Sequence, residues 1–278
     1  MTVRPAPAHR ATLVATDLDR TLIYSNAALA LTMPDDQAPR LLCVEVHNGR
    51  PLSFVTERAA ALIEELAAAT DFVPVTTRTR DQYRRVHLPG PPPRYAVCAN
   101  GGHLLVDGRT DRDWHDRVRR TVAAGCAPLA QVLDHLVRHA DPGWLRKARV
   151  AEDLFVYLVV ERDLVPQEWI KEISGWAADR GWTVSLQGRK LYAVPVPLTK
   201  SAALAEVVRR TGADRVLAAG DSLLDADLLL AADHAWRPGH GELADTGWTA
   251  PHLTALTTRG VAAGELIVTR MAAWLKEN

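Results

Sequence analysis

Residues 11–16 (Ala-Thr-Leu-Val-Ala-Thr) form an unbroken apolar, β-branched run that ends directly on Asp17, Leu18, Asp19, Arg20, Thr21 and Leu22. A short run of this kind, bounded by polar residues, predicts a strand buried on both faces, which means a parallel sheet covered by helices. In an open sheet of that type ligands bind beyond the carboxyl ends of the strands, so two acids delivered there are placed for chemistry. At spacing i, i+2 on a leaving loop, one carboxylate and one main-chain carbonyl can face the same cation while the second carboxylate stays free. That donor set suits a hard metal and an oxygen nucleophile. An Asx-turn or helix cap after a strand uses the same residue type, and the pair alone does not separate the two readings.

The rest of the chain repeats the strand-then-helix rhythm around this start. Asn48-Gly49 between the alternating runs 41–47 and 51–55 predicts a hairpin flap close to the acids. A helix over 57–69 follows, with Thr56 as N-cap and Leu62, Ile63 and Leu66 as its apolar stripe. The strand 72–76 runs into Thr76, Thr77, Arg78 and Thr79 ahead of a helix over 80–86. Hydroxyls and free amides at such a junction cradle an anion, although Thr77 or Thr79 would equally serve as an N-cap. Strands at 95–99 and 103–106 flank a tight turn at Asn100, Gly101 and Gly102.

From about residue 111 the pattern changes. A helical stretch over 114–140, broken near Gly125 and Pro128, precedes strands at 144–149 and 154–160, a helix at 166–180 and strands at 182–186 and 190–194. Helix, two strands, helix, two strands is the order of an α+β layer with an antiparallel sheet. The α/β rhythm resumes with a helix over 200–210, a strand over 215–219, a second acid loop at 220–225, a helix over 226–231, a strand over 234–236 and a terminal helix over 260–276. A chain of 278 residues therefore reads as a core of 1–110 and 196–278 with an inserted domain at 111–195.

Charge and cysteine usage narrow the partners. Basic and acidic residues balance at 33 each, which argues against nucleic acid or an anionic membrane surface as the main partner. Cys43, Cys98 and Cys126 are odd in number and widely spaced, so neither a disulfide framework nor a zinc site is expected, and a reducing cytoplasm fits. The N-terminal residues around Pro5 and Pro7 carry no signal-peptide core, and no apolar stretch reaches about 18 residues. A cytoplasmic monomer or homodimer is the expectation.

Four separated stretches place polar groups at strand ends or helix starts: Asp17 with Asp19, Thr76, Lys200, and Asp221 with Asp225. Lys200 is informative because the chain has only five lysines. In this order the set resembles the haloacid-dehalogenase-like (HAD) phosphohydrolase superfamily, through Asp-x-Asp-x-Thr at 17, 19 and 21, the hydroxyl at Thr76, the helix-opening Lys200, and Gly-Asp-x-x-x-Asp at 220, 221 and 225. The αββαββ insertion between the second and third motifs resembles the C2-type cap of the branch holding the Cof-like, sucrose-phosphate and trehalose-phosphate phosphatases and the phosphomannomutases, as does Asn100-Gly101-Gly102.

The resemblance implies an α/β fold, a Rossmann-like doubly wound, mostly parallel sheet with an inserted α+β C2-type cap. It also implies a Mg²⁺-dependent phosphoric monoester hydrolase acting on a small phosphorylated metabolite, a sugar phosphate or similar. Asp17 is then the nucleophile that forms an aspartyl-phosphate, and Asp19 the general acid and base. Mg²⁺ would be held by Asp17, by Asp19 through its main-chain carbonyl, by Asp221, and by Asp225 directly or through water. Thr76, Thr77 and Lys200 would bind phosphate oxygens. In the P-type ATPase relatives the position of Asp19 is not acidic and the phosphoenzyme persists, so an acid there favours turnover. Arg20, Asn100, Gly101, Arg189 and Lys190 are candidate substrate contacts, and Arg146, Lys147 and Arg149 are charges that could join them or lie on a solvated face. Arg20, Thr77 and Leu224 depart from the usual Gly, Gly and Asn. A phosphosugar mutase or a non-catalytic phospho-ligand-binding module would share the motif set. His103 and His115 are expected as surface or packed residues, and the tryptophans in core and cap-interface packing.

Overall fold

The computed structural model describes residues 11–277; the expected absence of a leader around Pro5 and Pro7 concerns residues outside that range. β1 (Thr12–Thr16) is an interior strand of the main sheet, buried on both faces. Leu13 and Ala15 face one side, and Val14 faces the other. The antiparallel hairpin β2 (Leu41–His47) and β3 (Arg50–Thr56) turns on Asn48 and Gly49, both at positive φ (52° and 71°). α1 (Glu57–Ala69) starts on Thr56, whose hydroxyl accepts from the Ala59 amide. β4 (Asp71–Pro74) then pairs parallel with β1.

α2 (Arg80–Tyr83) is shorter than the 80–86 read from sequence. Val86 bridges Glu45, and the His87 amide donates to the Val44 carbonyl, so the chain leaves the helix to pair with the hairpin. β5 (Tyr95–Cys98), β6 (His103–Val106) and β7 (Arg109–Thr110) form a small antiparallel sheet, joined to the main one by the Val75–Val97 bridge.

The inserted layer contains α3 (Arg112–Gly125), α4 (Leu129–His139), β8 (Leu145–Ala151), β9 (Phe155–Val160), α5 (Gln167–Ala178), β10 (Trp182–Gln187) and β11 (Lys190–Pro195). Its four strands are antiparallel in the order β10-β11-β9-β8. Val156, Leu158, Trp182 and Leu191 pack with Val132 and Leu136 of α4 and Ile173 of α5. Leu191 pairs Leu158 while Lys190 pairs Val159 and Tyr192 pairs Tyr157, so the period-2 pleat puts Lys190 and both tyrosines on the opposite, helix-free face.

The chain returns through α6 (Lys200–Thr211), β12 (Arg215–Ala219), α7 (Ala226–Leu230), β13 (His234–Arg237), α8 (Glu242–Asp245), β14 (Leu253–Ala255) and α9 (Val261–Glu277). The main sheet runs β14-β13-β12-β1-β4, all parallel. β14 and α8 are elements the sequence reading leaves as loop. One face of β1 packs on Ala203, Leu204 and Val207 of α6 and Leu228 and Leu229 of α7, the other on Ile63 and Leu66 of α1 and Ile267, Val268 and Met271 of α9. Truncating a fully buried member such as Ile63 to Ala would cost about 2–5 kcal/mol. The sequence goes to one side of β1 with β4 and then crosses to the other with β12, so the topological switch lies beside β1, where both acid loops emerge.

Candidate active site

The acid loops are stitched together by the main chain: the Asp17 amide donates to the carbonyl of Ala219, the last residue of β12 (2.9 Å). As a result Asp17, Asp221 and Asp225 each offer a carboxylate oxygen, all within 4.8 Å of one another and all buried. Lys200, at the first turn of α6 and 1% exposed, lies against them. Its Nζ donates to Asp17 Oδ1 (2.6 Å) and to Asp225 Oδ1. The other oxygen of Asp225 accepts from the Asp221 amide (3.1 Å), the Ser222 amide (2.9 Å) and the Ser222 hydroxyl (2.7 Å). Asp225 therefore orders the loop and aims the lysine. Gly241, at φ 91°, lets the chain pass against Asp221, where any side chain would collide with that carboxylate.

On the other side of β1 the end of β4 supplies Thr76, fully buried, and Thr77. Thr76 Oγ1 accepts from the Arg78 amide, and Thr79 closes the capping box of α2 with Gln82. The N-cap role left open in the sequence thus belongs to Thr79.

Solved structures share this fold across nearly the whole chain. A sucrose-phosphatase from Synechocystis sp., solved with sucrose and phosphate, matches with a TM-score of 0.66 at 14% identity, over 96% of this chain and 98% of that one. The fold is that of the HAD phosphatases. A HAD-superfamily phosphatase from Bacteroides thetaiotaomicron matches with a TM-score of 0.54 at 13% identity, over 98% of each chain. A HAD subclass IIB sugar phosphatase matches at 0.55 and 11%, over 95% of this chain and 99% of that one. No family model and no curated protein matches the sequence.

Within this HAD fold, Asp19 stands beside the buried acids with a different environment. Arg78 grips it through both oxygens, Nε to Oδ2 at 2.7 Å and Nη2 to Oδ1 at 2.8 Å. Burial alone would raise the Asp19 carboxyl, but the charge and hydrogen bonds of Arg78, with Lys190 and Lys200 behind it, outweigh that and hold it below the usual range. Asp17 goes the other way: burial, aided by Asp225 and Asp19 and only partly offset by Lys200, pushes its carboxyl up to about 7. Asp221 is raised too, by burial and then by Asp17 and Asp225, against the pull of Arg20. The Lys200 ammonium, despite its burial, is held charged by Asp17 and Asp225. The two neighbouring carboxyls are pushed apart in proton affinity, Asp17 up and Asp19 down, the reverse of what an ionised nucleophile and a protonated acid require while no cation neutralises Asp17. The excess of buried negative charge on hard oxygen donors fits a divalent cation, and Asp17 and Asp221 are the members free to hold it.

Several candidate substrate contacts land elsewhere. Arg189 is exposed at the β10–β11 turn, near Glu161, because its neighbour Lys190 takes the inward position and consecutive strand residues face opposite ways. Lys190 faces Asp19 and lies over the Tyr157 ring. Asn100, 2% exposed, spends its Nδ2 on the Leu198 carbonyl (2.7 Å), and Gly101 lies against the Thr199 carbonyl. Both hold the returning linker. Arg146 pairs with Glu161, and Arg146 and Lys147 are exposed on the outer strand β8 with Arg149. Arg20 is neither free on the surface nor relaxed: it sits at φ 64°, where the family commonly has Gly, and its Nε meets Asp221 Oδ2 at 3.2 Å. Leu224 packs against the cap core.

Three residues the sequence reading passes over complete the site. Arg78 is legible only as the cation next to three hydroxyls. Glu242 accepts from the Ser185 hydroxyl (2.5 Å), the Leu186 amide and the Leu223 amide (both 3.0 Å), fastening the cap to the second acid loop. His240 donates from Nε2 to the Arg20 carbonyl (2.7 Å) and accepts at Nδ1 from the Gly260 amide. Between the acid loops and the cap turn lies a cavity of about 180 Å³ lined by Arg20, Gln187, Gly188, Asp221, Glu242 and Arg259.

Proposed function

We propose that this chain is a Mg²⁺-dependent phosphatase that hydrolyses a small phosphate monoester, a sugar phosphate or similar metabolite, in the cytoplasm. The observation that carries the reading is the convergence of Asp17 and Asp221, 204 positions apart in sequence, on one buried spot beside Lys200. The fold shared with sucrose- and sugar-phosphate phosphatases supports it.

A phosphate monoester resists attack because its own oxygens repel an anion, so charge must be neutralised where the nucleophile approaches. A divalent cation held by the Asp17 carboxylate, the Asp19 carbonyl and Asp221 would supply that neutralisation and keep both carboxyls ionised. Lys200 and Thr76, with Thr77, bind the remaining phosphoryl oxygens. Asp17 attacks phosphorus, the ester bond breaks, and the alcohol leaves with a proton from Asp19, which carries that proton only when Arg78 has let go of it. Asp19, now a carboxylate held by Arg78, accepts a proton from the water that cleaves the aspartyl-phosphate. The cap, fastened through Glu242 and presenting Lys190 and Tyr157, covers the site and excludes bulk water. A panel of phosphate monoesters assayed with Mg²⁺ and with a chelator tests the reading. Inorganic phosphate is expected from some members and only with the cation; no release from any member would refute it, and an isomerised ester in place of free phosphate would favour a mutase.

A further inference from the structure

The tight turn between β5 and β6 holds three consecutive residues, Ala99, Asn100 and Gly101, in the left-handed region, at φ 51°, 55° and 101°. Residues other than glycine visit that region at a cost, and such a run persists only where its surroundings hold it. Here the two flanks of the site do the holding. Consecutive amides of the turn donate to the loop after β4, Ala99 to the Arg78 carbonyl (2.7 Å) and Asn100 to the Thr76 carbonyl (3.0 Å). On the other flank the buried Asn100 Nδ2 donates to the Leu198 carbonyl (2.7 Å). Gly101 packs so closely there that any side chain would strike the Thr199 carbonyl. Thr199 caps α6 by accepting from the Ala202 amide, and the next residue is Lys200. The turn therefore spans the gap between the Thr76 loop and the start of α6, bonded to both. The hairpin holds the same loop by a side chain instead, Glu45 meeting Arg78 Nη1 at 2.9 Å. Lys200 cannot set this gap by its own ion pairs, because its ammonium rides on a flexible four-carbon stem.

We propose, resting on the phosphatase reading, that Asn100 is a positioning residue: by tying the Thr76 loop to the start of α6 it sets the spacing of Thr76 and Lys200, the groups that hold the phosphoryl oxygens. Its side chain is spent on the Leu198 carbonyl and touches no reacting atom. Its influence is therefore the same whatever alcohol is attached to phosphorus, and free phosphate feels it as much as an ester does. Asn100→Gly removes the amide group while leaving the left-handed backbone easy to adopt, so it separates the side chain's bond from the strain of the turn.

The test measures the Kd of inorganic phosphate in Mg²⁺ by isothermal titration calorimetry in wild type, Asn100→Gly, Thr76→Val and the Asn100→Gly/Thr76→Val double variant. It adds kcat/KM for phenyl phosphate, a poor leaving group, and p-nitrophenyl phosphate, a good one, in wild type and Asn100→Gly. Asn100→Gly is expected to weaken phosphate binding by about tenfold, as a small misplacement of a binding group does, and to lower kcat/KM by about the same factor on both esters. In the Thr76→Val background, where one of the two spaced groups is already gone, Asn100→Gly should weaken phosphate by no more than about threefold. An unchanged phosphate Kd with only a lowered melting temperature, a loss confined to one ester, or a full tenfold effect in the Thr76→Val background would each overturn the inference while leaving the phosphatase reading intact. If thermal melting shows Asn100→Gly unfolded at the assay temperature, Asn100→Ser, which also falls short of Leu198, decides by the same outcomes. A wild-type protein inert to both esters would overturn the phosphatase reading, and this inference with it.

Discussion

Individual side chains here do more than one job, and His240 shows how a buried ring responds to pH. It sits under the Arg20 turn with both nitrogens committed, one donating and one accepting, which requires the neutral ring. Burial, reinforced by Arg20 and Arg259, pushes it down to about 4. Unfolded, the ring titrates near the ordinary value of about 6.5. A base lowered in the folded state contributes stability that is complete above about pH 6.5 and is lost as pH falls toward 4, at up to about 1.4 kcal/mol per pH unit. Urea denaturation at pH 7 and pH 5 should therefore show a smaller loss on acidification for His240→Gln than for wild type. Equal losses would mean the ring is charged or exposed. Asp17 and Asp221 are legible in sequence because each lies one or two residues past a strand end, and Asp19 and Asp225 because they follow on the same two loops, whereas Arg189 and Lys190 are separable only once the turn fixes which of them faces inward.

Among the elements, the helix-free face of the cap sheet and the start of α8 meet through Glu242. Removing its carboxylate leaves the Leu186 and Leu223 amides and the Ser185 hydroxyl without their acceptor, a cost of about 1–3 kcal/mol where those groups stay dry. Glu242→Ala should speed amide hydrogen exchange at Leu186 and Leu223 while Val14 and Leu217 in the central strands keep wild-type protection; uniform change across the chain would instead mean global destabilisation. No periodic pattern surrounds Glu242, which is why sequence gives it no role. The same holds for Glu45, where alternation along Leu41–His47 puts it on one face and a bulge turns it to the other. The strands and helices themselves follow their apolar periods closely; α2 departs because Val86 finds a better partner in the hairpin than in another helical turn.

At the scale of the molecule, the site joins regions brought together only by the fold: two loops on either side of the topological switch, a helix start, a hairpin and a cap. The described residues contain no helix long and apolar enough to cross a membrane. Because Asp17 and Asp221 are both raised by burial among like charges, a cation binding them must displace protons below about pH 7. Added Mg²⁺ should therefore raise the melting temperature more at pH 8 than at pH 5.5; a shift that is absent, or larger at the lower pH, would contradict a cation held on these carboxylates.

The central claim is that Asp17, aimed by Lys200 at the end of β1, takes the phosphoryl group. Rapid-quench labelling with radioactive p-nitrophenyl phosphate in Mg²⁺ tests it: acid-stable, base-labile label should appear on the peptide holding Asp17. Asp17→Asn should lose both that label and phosphate release by at least about 1000-fold, with an unchanged circular dichroism spectrum. Phosphate release persisting in Asp17→Asn, or label on another residue, would contradict the account.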